Sequence, residues 1–499
     1  MSDDISAPGR PDRNSLIKAA LIFGVVFLAY FLTRSPGLDE LDSVQFAMGV
    51  RDFNLWEHQP HPPGYPLFIF FGWIGVRVFG ASPENSLHFA SSLGGALFVA
   101  AWFLIIRLQF NHRLAWWVAA CLAITPVIWM TSTKVLTDSL ATGFLSAEIA
   151  AAVWFWQRKQ GVALFALCLF GAAATGTRPQ LAAIVFLVLF IALRKGAAPM
   201  KISIFAVGGL IASCLLWLVP TWYSQVGLRD NISPWLVYPQ QIYGQWHWRL
   251  NRPHTYLFAG DWSPGYLAFR FVSHFLGWFG LGFGFLQSWV ALFAGGLIVT
   301  VGFAAYLFRH REPNDRQFWR FHLSWALLHI AIIFVCLPPN QRYYLVIYPL
   351  LLVACLRGFL RLPSPWNWSA LALPAMLLFI TIPLAIANHR EEAPPIRLMR
   401  YLEKLYPSST RHQVVLLFDL ERRHAKWYDP EFTIINPDLP TDALPAATKN
   451  AIAVYTDNEK LLLPKGWRRV PLSDFRRSWV IHMKHHAVRL FLIDRGGGT

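Results

Sequence analysis

Eleven largely apolar runs, most of them close to twenty residues long, fill the first four-fifths of this chain and restrict what it can fold into. Each approaches the ~20 residues that a helix needs to cross about 30 Å of hydrocarbon. In that medium a segment must satisfy its own backbone N–H and C=O groups, so the runs are expected to be helices. They lie near 16–34, 85–107, 114–132, 138–156, 161–177, 180–194, 201–222, 286–308, 320–337, 343–360 and 366–388. Charged residues make up 14% of the chain, against about a quarter in an ordinary soluble domain. The expected class is therefore an all-α polytopic membrane protein, not a soluble enzyme, a disordered tail or a disulfide scaffold. Cys121, Cys168, Cys214, Cys336 and Cys355 all fall inside apolar runs and read as small buried hydrophobes.

The formal charge of +16 does not point to nucleic acid. Its basic residues sit mostly in short connections between apolar runs, where Lys and Arg set membrane orientation. Arg10, Arg13 and Lys18 precede or enter the first run, placing the N-terminus in the cytoplasm. That run is too long for a signal h-region and no small-residue cleavage site follows it. Eleven spans leave the C-terminal part outside. Two further apolar stretches, 64–80 and 266–283, break the parity if they cross, so they are expected to lie on or dip into the outer face. From residue 389 the apolar runs shrink to strand length: QVVLLF, FTII, AIAVYT and VRLFLI. The division expected is a transmembrane unit over 1–388, with outer loops at 35–84 and 223–285, and a small soluble α/β domain over 389–499. The cytoplasmic (inner) membrane is the expected location, with that domain on its periplasmic or extracytoplasmic side.

Acids are scarce in the membrane part, yet Asp39, Glu40, Asp42, Asp52 and Glu57 crowd directly after the first span. A solvated loop with Pro and Gly turns accounts for some of this. Phe46, Met48, Phe53 and Trp56 in the same stretch suit an amphipathic juxtamembrane helix better, one on which Asp39 and Asp42 share a face. A partly desolvated carboxylate at the membrane boundary is suited to take a proton from a hydroxyl. His58 and His61 follow among prolines that forbid a continuous helix. Asp39, Asp42, His58 and His61 leave a divalent cation such as Mg or Mn open, in a spacing that is not diagnostic; no other cofactor is indicated.

The stretch LDELDS…HPHPPGYPLF resembles the first outer loop of the GT-C class of membrane glycosyltransferases, which includes protein O-mannosyltransferases and aminoarabinose transferases. The pattern Asp-Ser/Thr-x-Glu-Phe followed by HPPGxPL is matched by Asp42-Ser43-Val44-Gln45-Phe46 and by His61-Pro62-Pro63-Gly64-Tyr65-Pro66-Leu67. Gln45 departs from it, standing where that branch has an acid. TGTRPQ around Arg178, and the Arg342-Tyr343 pair that opens a late span, are looser echoes. The resemblance implies inverting transfer from a polyprenyl-phosphate sugar, with membrane lipids around the chain and a protein, glycan or lipid acceptor. It does not reach the soluble tail.

That chemistry needs a base, a positive site for the leaving phosphate and a groove for the lipid tail. Asp42 is the first choice of base, with Asp39 and Glu40 next. His58, His61, Tyr65, Lys134, Asp138, Arg178, Arg342 and Tyr343 are the expected substrate contacts. Arg offers phosphate a two-pronged fork and Lys a point charge; each of the three cations could equally be an interfacial anchor. Asp138 is expected to pair with Lys134 at helical spacing. Glu148 falls mid-span, where a charge is costly, and reads as a carboxyl neutralised between helices. The aromatic and amide-rich stretch 223–268 suits either sugar stacking or an interfacial belt. The rival function is a transporter or a flippase for lipid-linked sugar, without transferase activity. It predicts charges strung along the spans and repeat symmetry, neither of which the sequence displays.

Overall fold

The structure, a computed structural model, describes residues 13–228, 233, 235–250, 262–279, 289–308, 313–337, 340–419, 421–436, 439–477 and 487–495. Each expected span contains a helix. In chain order the helices are α1 (Arg13–Leu32), α2 (Leu41–Arg51), α3 (Pro66–Phe79), α4 (Pro83–Gln109), α5 (His112–Ala123), α6 (Pro126–Ser132), α7 (Thr137–Arg158), α8 (Gly161–Thr177), α9 (Ala182–Lys195) and α10 (Met200–Tyr223). They continue as α11 (Val237–Leu250), α12 (Pro264–Phe279), α13 (Trp289–Leu307), α14 (Pro313–Cys336), α15 (Tyr348–Leu360) and α16 (Ala372–Arg390). Among the described residues seven helical segments are individually long and apolar enough to cross a membrane, and the α5–α6 pair adds an eighth. The chain is a multi-pass membrane protein.

Two sequence devices set the packing near the site. Gly94 on α4 and Gly143 on α7 let those backbones touch: a Cβ on Gly94 would meet Leu140 Cα at 2.2 Å, and one on Gly143 would meet the Gly94 carbonyl at 2.3 Å. Small residues at such crossings are how membrane helices approach closely. The second device is Pro126. It starts α6 and forces Thr125 into extended backbone, so the span bends by 60° between α5 and α6. The chain leaves α6 through a non-helical bend at 133–136 before α7 begins. That bend is stitched to the first loop by Ser35 N donating to the Thr133 carbonyl (2.9 Å) and Ser43 Oγ to that of Val135 (2.7 Å).

The first loop does form the expected helix, but as α2, which is buried along most of its length. Helix α3 holds 14 residues, about 21 Å of helix at ~1.5 Å each, too short to span by itself.

After α16 the chain forms α17 (Pro394–Leu405), α18 (Ser408–Arg411) and α19 (Arg422–Tyr428) around strands β1 (Val414–Leu417), β2 (Thr433–Ile434), β3 (Ala453–Thr456), β4 (Arg468–Arg476) and β5 (Ala487–Asp494). The sheet runs β2-β1-β3-β5-β4, parallel where β1 meets β2 and β3 and antiparallel at β3/β5 and β5/β4. Four of the strands lie in the four expected runs. The fifth, β4, is an edge strand whose register shifts at Pro471; its charges and proline conceal it from pattern reading, which is how edges are commonly protected. This unit rests on the first loop through α19. Tyr428 Oη accepts from Leu38 N (2.9 Å), His424 Nε2 meets the Leu38 carbonyl (3.1 Å), and Trp427 Nε1 donates to Glu84 (2.8 Å).

Candidate active site

The acids that crowd after α1 divide into two groups. Asp39 lies ahead of α2 and not on it, so it and Asp42 do not share a helix face; that expectation is corrected. Its carboxylate is enclosed, with Lys134 Nζ at 2.6 Å and Arg477 Nη2 at 2.7 Å on the same oxygen. Burial pushes the Asp39 carboxyl up, but the charges of Arg477 and Lys134 outweigh it and bring it down to about 2. A carboxylate held this strongly ionised between two cations is a clamp and a weak proton acceptor. Glu40 precedes α2 in extended backbone and is buried; its charge acts on Lys134 and Arg342.

Asp42 sits in the first turn of α2, where the helix N-terminus favours negative charge. Its side chain is 29% exposed, and Arg342 Nη2 lies 3.2 Å from Oδ2. Arg342 comes from a 3₁₀ turn, Gln341–Ile347, whose start is capped by Asn340 accepting from Arg342 N (3.1 Å). The other edge of the same guanidinium faces Asp138 at 4.0 Å. Asp138 opens α7 and binds Arg178 at 2.9 Å, while Arg178 Nε donates to Thr137 Oγ1 at 3.0 Å. The Tyr343 ring lies near both guanidinium groups, 5.8 Å from that of Arg178 and 5.4 Å from that of Arg342. Asp138, Arg178, Arg342, Tyr343 and His329 border a small cavity of about 30 Å³, room for about one water.

The expected Lys134–Asp138 pair is also corrected. Lys134 is in the bend before α7, so the helical i,i+4 spacing does not apply; its ammonium goes to Asp39 and the Asp138 carboxylate goes to Arg178.

His61 belongs to the turn that starts α3, and its Nε2 lies 2.9 Å from Tyr65 Oη. With the Gln45 amide turned so that its oxygen meets Arg423, its NH₂ donates to His61 Nδ1 at 2.5 Å. His61 Nε2–H then donates to Tyr65. His58 takes a left-handed backbone (φ 56); burial, and then the charge of Arg423, lower its pKa. Asp39, Asp42, His58 and His61 are not gathered into one ligand set in the structure. Among the described residues no three His, Cys, Asp or Glu side chains are placed to share an ion, and Asp39 and Asp42 already face cations.

Three contributions lay outside sequence reasoning. Arg423 on α19 and Arg477 after β4 come from the C-terminal unit, whose role the sequence left open. Gln225 braces the first loop, accepting from Leu55 N (3.0 Å) and donating to the Phe53 carbonyl (3.1 Å). The third is a largely apolar cavity of about 720 Å³ at the C-terminal end of α2, between α3, α8 and α10, lined by Val50, Phe70, Trp73, Ala173, Leu216 and Trp217 among others. From the stretch 223–268, Tyr238 Oη donates to the Pro63 carbonyl (2.9 Å). Its remaining aromatic and amide residues at 229–232, 234 and 251–261, and the side chains of 245–250, lie outside the described residues.

Residues 60–223 match the model of the family described as dolichyl-phosphate-mannose-protein mannosyltransferase. The protein O-mannosyl-transferase tmem260 of Dictyostelium discoideum is 25% identical over 150 residues, which is 29% of this chain and 18% of that protein. The chain thus aligns with under a fifth of that relative's length. ArnT from Cupriavidus metallidurans, in its undecaprenyl phosphate complex, superposes over 97% of this chain and 99% of its own, with a TM-score of 0.54 at 12% identity. The Archaeoglobus fulgidus oligosaccharyltransferase in complex with Zn and sulfate gives a TM-score of 0.51 at 14% identity, covering 89% of this chain and 68% of that one. At these identities the likeness is one of fold.

Proposed function

This is a membrane protein with the fold of the GT-C glycosyltransferases, and we propose that it transfers a sugar from a polyprenyl-phosphate donor to an acceptor hydroxyl. The observation that carries this reading is the Asp42–Arg342 pair. It puts an incompletely buried carboxylate beside a guanidinium that also reaches Asp138, next to a cavity bordered by Arg178. A donor phosphate that reaches Arg342 competes with Asp42 for it. The phosphate gains a charge-assisted pair of hydrogen bonds, and the Asp42 carboxylate is released.

In the reaction the acceptor hydroxyl gives its proton to Asp42 as its oxygen attacks the anomeric carbon. The bond from that carbon to the phosphate oxygen breaks, its electron pair stays on the polyprenyl phosphate, and the configuration inverts. Arg342 and Arg178 stabilise the charge that develops on the leaving oxygen. The apolar cavity beyond α2 suits the lipid tail. The parity expected from the sequence supports placing the reaction on the outer face of the cytoplasmic membrane.

Purified full-length protein in lipid, offered a panel of radiolabelled polyprenyl-phosphate sugars with and without EDTA, tests this. Label is expected to move to an added acceptor or to water, and the EDTA arm decides whether a divalent cation takes part. A folded protein that moves no label from any donor overturns the reading in favour of transport.

A further inference from the structure

Among the described residues five cations converge on the acid cluster: Lys134, Arg178, Arg342, Arg423 and Arg477. Four of them are ion-paired, to Asp39, Asp138 or Asp42. Arg423 differs. It is half-buried, and among the described residues no carboxylate forms an ion pair with it. Its partner is the neutral amide oxygen of Gln45, 2.5 Å from Nη1, 3.2 Å from Nε and 3.2 Å from Nη2. Burial and the charge of Arg422 work against the Arg423 charge, and the Asp42 carboxylate supports it.

The placement adds to the electrostatics. Gln45 is one helical turn after Asp42, so Asp42 and Gln45 lie on one face of α2, and Arg423 approaches that face from α19. His58 also feels its charge. A guanidinium that has lost part of its water and, among the described residues, is met by an amide keeps unspent capacity for an anion, because the amide accepts its hydrogen bonds but does not neutralise its charge. An acid at position 45 would cancel that capacity; glutamine leaves it in place.

We propose that Arg423 is an oxyanion-binding residue, by which the C-terminal domain supplies the Asp42 face of α2 with a guanidinium for a phosphate oxygen of the substrate. The inference rests on the transferase reading for its class of ligand. The phosphate belongs either to the polyprenyl lipid or to a phosphorylated acceptor.

The test uses the full chain in lipid nanodiscs and three probes: a polyprenyl phosphate, the matching polyprenol, and inorganic phosphate. Wild type is expected to bind the phosphate lipid at least about tenfold more tightly than the alcohol, or to be stabilised by inorganic phosphate. The first result assigns the group to the lipid, the second to a phosphate not carried by the lipid, as on a phosphorylated acceptor. Arg423→Ala and Gln45→Glu should each remove about tenfold of that preference, or the stabilisation, and Arg423→Lys should restore part of it. Gln45→Glu adds an ion pair at an intact interface, so it reports even if Arg423→Ala fails to fold. Unchanged anion binding in Gln45→Glu overturns the proposal, since a neutralised guanidinium would then serve as well as a free one. These readouts need no turnover. Arg423-dependent binding without sugar transfer sinks the transferase reading alone, and transfer without Arg423-dependent binding sinks this one alone.

Discussion

Lys134 and Asp39 meet at 2.6 Å with side chains only 2% exposed, and Arg477 from the far end of the chain closes on the same carboxylate oxygen at 2.7 Å. One buried anion thus joins the first loop, the bend made by the broken span, and the C-terminal unit. Removing one partner of such an arrangement leaves charge uncompensated, at a cost of about 3–5 kcal/mol. Asp39→Asn is therefore expected to lower the melting temperature and to open the junction around Leu38 and Tyr428 to hydrogen exchange.

The same carboxylate gives a pH signature. Its folded pKa, about 2, lies below its ordinary value of 3.8. Its stabilising contribution is therefore complete above pH ~4 and is lost as the pH falls towards 2. The shift corresponds to about 2 kcal/mol. The stability gap between wild type and Asp39→Asn should narrow across that acid window and stay level from pH 5 to pH 7. A gap that is flat through the acid range would mean Asp39 is not held ionised.

Asp42 and Glu148 should behave oppositely under the same amide substitution. Asp42→Asn keeps a hydrogen-bonding side chain beside Arg342 but removes the proton acceptor, so transfer should fall by at least about a hundredfold with little change in melting. Glu148 is fully buried on α7 against Gly171 of α8, and neither of its oxygens has a hydrogen-bond partner among the described residues. Glu148→Gln should leave turnover close to native. Near-native transfer by Asp42→Asn would show that the base is another residue.

What the sequence disclosed follows from what is local. Apolar run length gives the helices, and the cost of acids near hydrocarbon singles out residues 39–57. Pro126 breaks a span only in three dimensions, so the sequence assigned Lys134 to a helix with Asp138, when the bend delivers it to Asp39. Arg423 and Arg477 sit in a tail whose strands and charges look like any small domain's, and no spacing rule joins them to a loop about four hundred residues earlier. Asp42 was legible because it stands in a motif; its partner Arg342 was legible as a cation but not as that carboxylate's neighbour.

Arg342 should affect the two substrates unequally. Its guanidinium divides its contacts between Asp42 and Asp138, and in the proposed reaction it takes the donor phosphate. Arg342→Ala should raise the donor KM by about tenfold or more while moving the acceptor KM less. Arg342→Lys should recover only part, since a point charge cannot make the two-pronged contact. Equal effects on both substrates would remove its phosphate role.

The apolar cavity yields a prediction about chain length. Its volume of about 720 Å³ falls in the ~300–1,000 Å³ range of ligand pockets, and its walls from α3, α8 and α10 offer a lipid tail apolar burial worth about 0.8 kcal/mol per methylene. Ala173 is one of its lining residues on α8. Ala173→Trp should fill part of the space and raise the KM for a long-chain polyprenyl donor by about tenfold, roughly the burial of two methylenes. A donor truncated to two isoprene units does not reach far along the groove, so its KM should change little, and kcat for both should stay near native because the reacting groups lie at the opposite end of α2. A KM increase of the same size for both donors would mean that the cavity does not hold the tail.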